Sequence, residues 1–396
     1  MTASHSHSRQ SLAQARRLVV KLGTNVIMGA DGMPVLSRLY GIMESVAELR
    51  RGGHEVVLVS SGAVGLGAQQ LGHSGKPRTL ELKQACAAVG QGRLMSLYQE
   101  GFGRLGLVAA QVLLTEEDFG NRHRYLNLRG TLDKLLELGV VPIINENDTV
   151  STAELESPRD GDWSRPIFGD NDKLSALVAS GVDADLLLIL SDVDGLYTGN
   201  PHKDPSATLI PVVKELTAEI EGCADGQSSR GRGGMASKLA AVRVATQAGT
   251  RVIIASGGMH RVLDRILAGD EVGTLFLAEA KMRGKKRWIA HASHIAGRVR
   301  VNAGAETALR GGKASLLPAG VVALEGDFQR DDVVAIADAQ GNDFARGTIN
   351  LEREEADILL ASGAGKIPGE TGAKGRGALI SRDTLVLIQE NRDKEC

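Results

Sequence analysis

Two lysines stand where a bound phosphate could use them. Lys21 leaves an apolar run into Lys21-Leu22-Gly23-Thr24. Lys238 lies one turn inside a helix that is entered through Gly231-Arg232-Gly233-Gly234-Met235-Ala236-Ser237. An ammonium is a compact point charge, and glycine lets backbone N–H groups approach an anion closely. The second segment adds a helix N-terminus, whose partial positive charge also favours anions. Neither segment is a Walker A loop, because GxxxxGK followed by Ser or Thr is absent from the chain. A strand-end lysine by itself is more often simply solvated, so the pair matters only if the fold brings both to one place.

Four further segments close apolar runs or open helices with more polar residues than a turn requires. Ser60-Ser61-Gly62-Ala63-Val64-Gly65-Leu66-Gly67 does not fit the dinucleotide pattern GxGxxG. Its small hydroxyl residues and glycines suit an anion, carboxylate as well as phosphate. Asn145-Glu146-Asn147-Asp148-Thr149 follows Ile144, and one or two such residues would suffice for a turn. Asp148 could pair with a substrate ammonium and the asparagines could orient it, with metal ligation the rival reading. Gly169-Asp170-Asn171-Asp172-Lys173 opens a helix, and capping that helix needs only one Asp or Asn. Ser191-Asp192-Val193-Asp194-Gly195 places an aspartate beyond a strand, where it could meet a ribose or a metal, although a turn accounts equally well for Asp194-Gly195.

The elements that must position these residues alternate along the chain. Apolar and β-branched runs at 18–20, 56–59, 107–114, 140–144, 186–190 and 252–255 predict strands. Leu39, Ile42, Met43, Val46 and Leu49 recur at helical spacing, and Gly52-Gly53 stops that helix. Helices are also predicted over 125–138, 174–180 and 235–248. Strand and helix in alternation imply a mostly parallel sheet covered on both faces. In such sheets ligands bind beyond the carboxyl ends of the strands, where the polar segments fall. From about Trp288 the elements shorten and glycines punctuate them, with strands predicted at 299–301 and 333–336. The basic stretch 281–287 is the expected joint.

Composition sets the outer limits. At 396 residues the chain is too long for one ordinary core. Its net charge of -2 gives no general attraction to nucleic acid or to an anionic membrane. Glycine makes up 49 of the 396 residues, which suggests loops shaped around a ligand. Cys86, Cys223 and Cys396 lie far apart with no CxxC, so a reducing compartment and no structural zinc site are expected. No apolar run approaches the ~20 residues of a membrane helix. The N-terminal MTASHSHSRQ has no apolar signal core, and the cytoplasm is the expected location.

The segments VVKLGT, VSSGAVGLG, INENDTV, FGDNDKLSA, LSDVDGLYT and GRGGMASK, in that order, resemble the amino acid kinase family, and within it the members that phosphorylate glutamate. The resemblance covers essentially the whole chain, and INENDTV followed by GDNDKLSA is its most specific part. SLLPAGV, EGDFQRDDVV and ARGTIN are similar to a PUA domain. The resemblance implies an α/β fold: a three-layer αβα amino acid kinase-like domain with a mostly parallel sheet, plus a small β-rich PUA-like domain. The expected boundaries are a disordered tail at 1–15, the kinase domain at 16–280, a linker at 281–290, the PUA-like domain at 291–383 and a C-terminal tail at 384–396.

The resemblance further implies ATP with Mg²⁺, L-glutamate as acceptor, L-glutamate 5-phosphate as product, and a place at the first step of proline biosynthesis. It implies proline as a feedback inhibitor and assembly into dimers or tetramers. Lys21 and Lys238 match phosphate-contacting lysines, and Asp172 an aspartate that organises them. Ser61, Asp148 and Asn171 match glutamate-binding positions, with Asn145 beside them. Gly23, Ser191, Asp192 and the run Arg232, Gly233, Gly234, Met235, Ala236, Ser237 and Lys238 match ATP-binding positions. The family usually shows threonine where Arg232 stands, and residues 157–167 form a longer stretch than in many members. Two rivals remain at this level: a kinase of the same fold for another acid, such as N-acetylglutamate, aspartate or carbamate, and an RNA-binding role for the PUA-like part. Between Lys285 and Asp383 there are 14 Lys and Arg against 13 Asp and Glu, which is no basic footprint, so nucleic acid is not expected.

Overall fold

The computed structural model describes residues 8–73, 75, 77–115, 117–150, 171–201, 203–224, 234–279, 284–290, 295–361 and 378–388. The chain divides into two units, the first formed by Met1–Thr115 with Leu128–Lys281 and the second by Glu116–Asn127 with Met282–Cys396.

In the first unit the order is β1 (Arg17–Leu22), α1 (Thr24–Ile27), α2 (Leu36–Arg51), β2 (Glu55–Ser60), α3 (Ala63–Gln70), α4 (Leu80–Arg104) and β3 (Ala109–Leu114). A short helix α5 (Glu117–Gly120) and the start of α6 (Arg122–Glu137) group with the second unit. The first unit then continues with β4 (Val141–Glu146), α7 (Asn171–Gly181), β5 (Leu186–Ser191), β6 (Val212–Val213), α8 (Ala218–Gly222), α9 (Met235–Gln247), β7 (Arg251–Ser256), α10 (Val262–Leu267) and β8 (Thr274–Phe276). The sheet runs β3-β4-β2-β1-β5-β7-β8-β6. Its strands pair in parallel except β7 with β8. This is a three-layer α/β unit with β1 near the middle.

Strand alternation decides which face each side chain takes. Leu18, Val20 and Leu22 of β1 join one core with Met43 and Val46 of α2, Tyr98 and Phe102 of α4, and Leu263 and Ile266 of α10. Val19 and Lys21 therefore point to the opposite face, where α7 and α9 pack together. The second unit has its own core and a sheet ordered β10 (Val321–Gly326), β9 (Gly297–Val301), β11 (Val333–Ala337), β12 (Asp343–Ile349) and β13 (Ile380–Leu387). Only β9 and β11 pair in parallel there.

Three stretches differ from the sequence expectation. Residues 8–14, expected in a frayed tail, are helical, and Leu12 is buried. Arg9 anchors them: its guanidinium donates to the carbonyls of Asp270 (3.0 Å), Val272 (2.9 Å), Pro211 (2.8 Å) and Gly273 (2.8 Å). Residues 284–290 of the expected linker form helix α11 (Gly284–Ala290), where Trp288 is buried and donates to the Phe119 carbonyl at 2.9 Å. The expected C-terminal tail begins inside β13, with Thr384 and Leu385 buried. Helix α4 had no counterpart among the predicted elements. Gly90, Gly92, Gly101 and Gly103 dilute its helix propensity, and packing overrides that weakness.

The Arg9 anchor yields a first prediction. Arg9→Ala leaves four carbonyls without these donors and should cost about 2 kcal/mol or more. A domain of this size would then melt roughly 4–8 °C lower. Thermal denaturation checks it, and an unchanged melting temperature would mean that the N-terminal turns contribute nothing to the fold.

Candidate functional site

Lys21, carried by the central strand, is only 4% exposed, and so is Lys238 of α9; Asp172 of α7 is fully buried. Lys21 Nζ lies 2.5 Å from Asp172 Oδ1, and Lys238 Nζ lies 3.3 Å from Oδ2. One carboxylate thus gathers two ammonium groups that are 217 positions apart in sequence. The cluster carries a formal charge of +1. Burying charges is costly unless they pair, and two ammonium groups gathered on one carboxylate can also receive an anionic group. Asp172 is not the helix cap that its position in the sequence allowed. It sits inside the first turn of α7, its backbone carbonyl accepts from Ser175 Oγ at 2.6 Å, and its carboxylate is turned to the lysines. Gly23 keeps this corner open. Its N–H donates to the Leu190 carbonyl at 3.0 Å, and a Cβ there would lie 3.3 Å from that oxygen and 3.5 Å from Lys21 Nζ.

The residue before Asp172 faces a second group. Asn171 Nδ2 donates to Ser61 Oγ at 2.8 Å and to Asn145 Oδ1 at 3.0 Å. Asn145, buried at the end of β4, donates through Nδ2 to Gln91 Oε1 of α4 at 2.9 Å. Ser61 is fixed from the other side by its N–H, which donates to the Leu22 carbonyl at 3.0 Å. The next residue, Gly62, takes φ +103, a left-handed conformation that favours glycine. The first turn of α7 thereby joins two groups: a chain of neutral hydrogen-bonding side chains and a cluster of buried charge. Asp148, half-buried, lies in the turn after β4.

The end of β5 adds a third group. Ser191 is buried and donates to Asp192 Oδ1 at 2.9 Å, while Asn25 Nδ2 donates to Oδ2 at 2.7 Å. Burial pulls the Asp192 carboxyl upward, but those two hydrogen bonds, a backbone N–H and the charge of Lys238 outweigh it and hold the group below the usual carboxylate range. Asp192 is thus a firmly ionised acid within the field of Lys238. The entry to α9 follows a similar economy: Gly234 is its N-cap, Met235 is buried, Ala236 is exposed and Ser237 is half-buried.

Residues 16–256 match the Amino acid kinase family, and residues 297–362 match the PUA domain. The chain belongs to the amino acid kinase family. Among the relatives of this kinase, Glutamate 5-kinase of Moorella thermoacetica is 44% identical over 96% of this chain and 98% of its own length. Glutamate 5-kinase of Gloeobacter violaceus is 46% identical over 94% of this chain and 99% of its own. A solved structure of carbamate kinase from Giardia lamblia bound to AMP-PNP aligns with a TM-score of 0.47 at 19% identity, covering 67% of this chain and 100% of that one.

Of the residues singled out in the sequence, Lys21, Asp172 and Lys238 meet in one cluster in this kinase, and Ser61, Asn145 and Asn171 form one hydrogen-bonded chain. Ser191 and Asp192 bond to each other. Arg232, Gly233 and the 157–167 stretch lie outside the described residues. Two contacts escaped the sequence reading. Asn25 follows directly on the Lys21 segment, so its neighbourhood was a usable signal. Gln91 sits within a long helix with no local motif, and only its bond to Asn145 reveals it.

Proposed function

We propose that this protein transfers the γ-phosphoryl group of ATP to the side-chain carboxylate of L-glutamate, giving L-glutamate 5-phosphate, the first step of proline biosynthesis. The observation that carries the reading is the shared carboxylate of Asp172, which holds Lys21 and Lys238 together beside a chain of small polar side chains suited to an amino acid. Relatives at 43% identity or more over nearly the full chain bear the name Glutamate 5-kinase, which favours this acceptor over N-acetylglutamate, aspartate or carbamate. The balance of charge in the C-terminal part gives no support to an RNA-binding reading.

The acceptor carboxylate has an ordinary pKa of about 4.3 and arrives deprotonated at neutral pH, so no general base is needed. The obstacle is repulsion between that anion and a polyanionic triphosphate. Two unit charges at ~4 Å repel by about 4 kcal/mol at an effective dielectric near 20. Lys21 and Lys238 are assigned to the transferring group, where they offset this repulsion and help to hold the reacting atoms in line. Asp172 orients the two ammonium groups, one on each of its carboxylate oxygens. Ser61 and Asn171 are assigned to the amino acid, with Asn145 supporting them and Asp148 set to pair with its ammonium. Gly23, Ser191, Asp192 and the α9 entry from Arg232 to Lys238 are assigned to ATP.

Mg²⁺ enters this scheme as part of the MgATP substrate. Among the described residues no group of three or more His, Cys, Asp or Glu is placed to cage a metal ion, and Mg²⁺ commonly relies on substrate phosphates with one or two carboxylates. Asp192, held ionised, is the acid that fits that supporting part. Among the described residues no helix is long and apolar enough to cross a membrane. Proline as a feedback inhibitor and assembly of like chains belong to the same reading and rest on the resemblance.

The test is ATP-dependent formation of γ-glutamyl hydroxamate with hydroxylamine as trap, run beside aspartate and N-acetylglutamate. Product with glutamate alone is the expected result, and no product with glutamate would reject the assignment. In the same assay Asp148→Ala should raise the glutamate KM by about tenfold or more, the effect of losing a charge-assisted contact, and should change kcat far less.

A further inference from the structure

Two amide atoms in the hydrogen-bonded chain are buried and lack a hydrogen-bonding partner among the described residues: Gln91 Nε2, a donor, and Asn171 Oδ1, an acceptor. A buried polar atom left unpaired costs free energy, and native proteins keep few of them. In the structure the amides run in one direction, from Asn171 towards Gln91. Asn171 donates to Asn145, and Asn145 donates to Gln91 Oε1, so the amide nitrogen of Gln91 is the group turned away. Ser61 and Asn171, at one end of the chain, are assigned to the amino-acid substrate, and that substrate carries both kinds of missing partner: carboxylate oxygens for a donor and an ammonium for an acceptor.

We propose that Gln91 is a substrate-binding residue that donates through Nε2 to the α-carboxylate of the acceptor amino acid; the proposal rests on the function assigned above. The choice of carboxylate follows from order along the chain. Asn171 adjoins Asp172 and hence the lysine cluster, where the reacting carboxylate must lie. Gln91 is two hydrogen bonds further away, so it addresses the end that does not react. The position of Gln91 is also built. The preceding residue, Gly90, lies so close to α3 that a Cβ there would fall 1.8 Å from the Ala63 carbonyl, which pins this part of α4 against the segment that follows Ser61. Gln91 thus sets which acids fit, by reading a group remote from the chemistry.

Gln91→Glu is the sharpest variant, because it retains an acceptor for Asn145 and replaces the donor with an oxygen that repels a carboxylate. Its glutamate KM should rise by about tenfold or more, the usual effect of losing a charge-assisted hydrogen bond, with the ATP KM unmoved. Competitive inhibition by 4-aminobutyrate, which lacks the α-carboxylate, should not weaken in the variant. Gln91→Met, which has neither amide group, should also raise the glutamate KM and covers the case in which the buried acid disturbs folding, as judged by thermal melts. A glutamate KM unchanged in both variants overturns the proposal, as does a parallel loss of glutamate and 4-aminobutyrate binding, the mark of a purely structural role. A lower glutamate KM in Gln91→Glu would mean that the amides run the other way and also overturns it. These outcomes presuppose a wild-type protein that forms the hydroxamate; if it does not, the function itself fails rather than the role of Gln91.

Discussion

Lys238→Ala should lower kcat by about 10²-fold or more while the glutamate KM changes much less. Lys238 is buried, bonded to Asp172 at 3.3 Å, and close enough to Asp192 to depress its carboxyl. Its charge is therefore held in place before substrate arrives, and solvent screens it little. A preorganised charge contributes most where negative charge moves between donor and acceptor oxygens, which is the transition state rather than the bound ground state. The fold should survive the change, because Asp172 keeps Lys21 as a partner at 2.5 Å. Steady-state kinetics beside a thermal melt decide the matter. An unchanged kcat in a folded variant would remove Lys238 from the transferring group.

Gly90→Ala should be nearly as damaging, although Gly90 need not touch substrate. Helices α3 and α4 cross with their backbones in contact. A Cβ on Gly90 would lie 1.8 Å from the Ala63 carbonyl oxygen, and one on Gly67 would lie 1.7 Å from that of Cys86. Backbone cannot swing aside as a side chain can, so the two helices must separate. Overpacking of this kind typically costs 1–3 kcal/mol, and here about the upper end or more is expected. The separation would also pull Ser61 away from Gln91 and Asn145, and a misplacement of ~1 Å can cost about 10²-fold in rate. The expected result is a lower melting temperature together with a fall in kcat/KM for glutamate. Gly92→Ala is the internal control. It lies on the same helix with open space around its Cβ position, and it should be neutral or stabilising by about 0.5–1 kcal/mol. Equal behaviour of the two variants would show that the close crossing is not what seats the site.

These two predictions draw on different levels of the molecule. Lys238 was legible in the sequence because glycines ahead of a helix with a lysine one turn inside form a local pattern with a chemical meaning. The same holds for Lys21, Ser61, Asn145, Asn171 and Asp192, each at the end of a predicted strand or the start of a predicted helix. The central strands were legible as well, because strands covered on both faces are apolar nearly throughout, as in the five residues from Leu186 to Leu190. Helix α4 was not legible, since its four glycines argue against a helix locally, and close packing accounts for Gly90 and Gly101 only once the fold is known. Gln91 was hidden with it.

By itself, then, the sequence determined the residue types beyond each strand, the alternation that builds a parallel sheet, and the family to which these belong. Local chemistry carries that information, because caps, turns and periodicity act over a few residues. The tertiary structure decided which of those residues meet. Nothing local says that Asp172 bonds two lysines from a strand and a distant helix rather than capping its own. Nothing local says that Arg9 is buried, that Gly90 marks a helix crossing, or that Gln91 completes a chain ending at Ser61. Those facts depend on contacts between segments far apart in the chain, which exist only once the sheet has brought its strand ends to one edge.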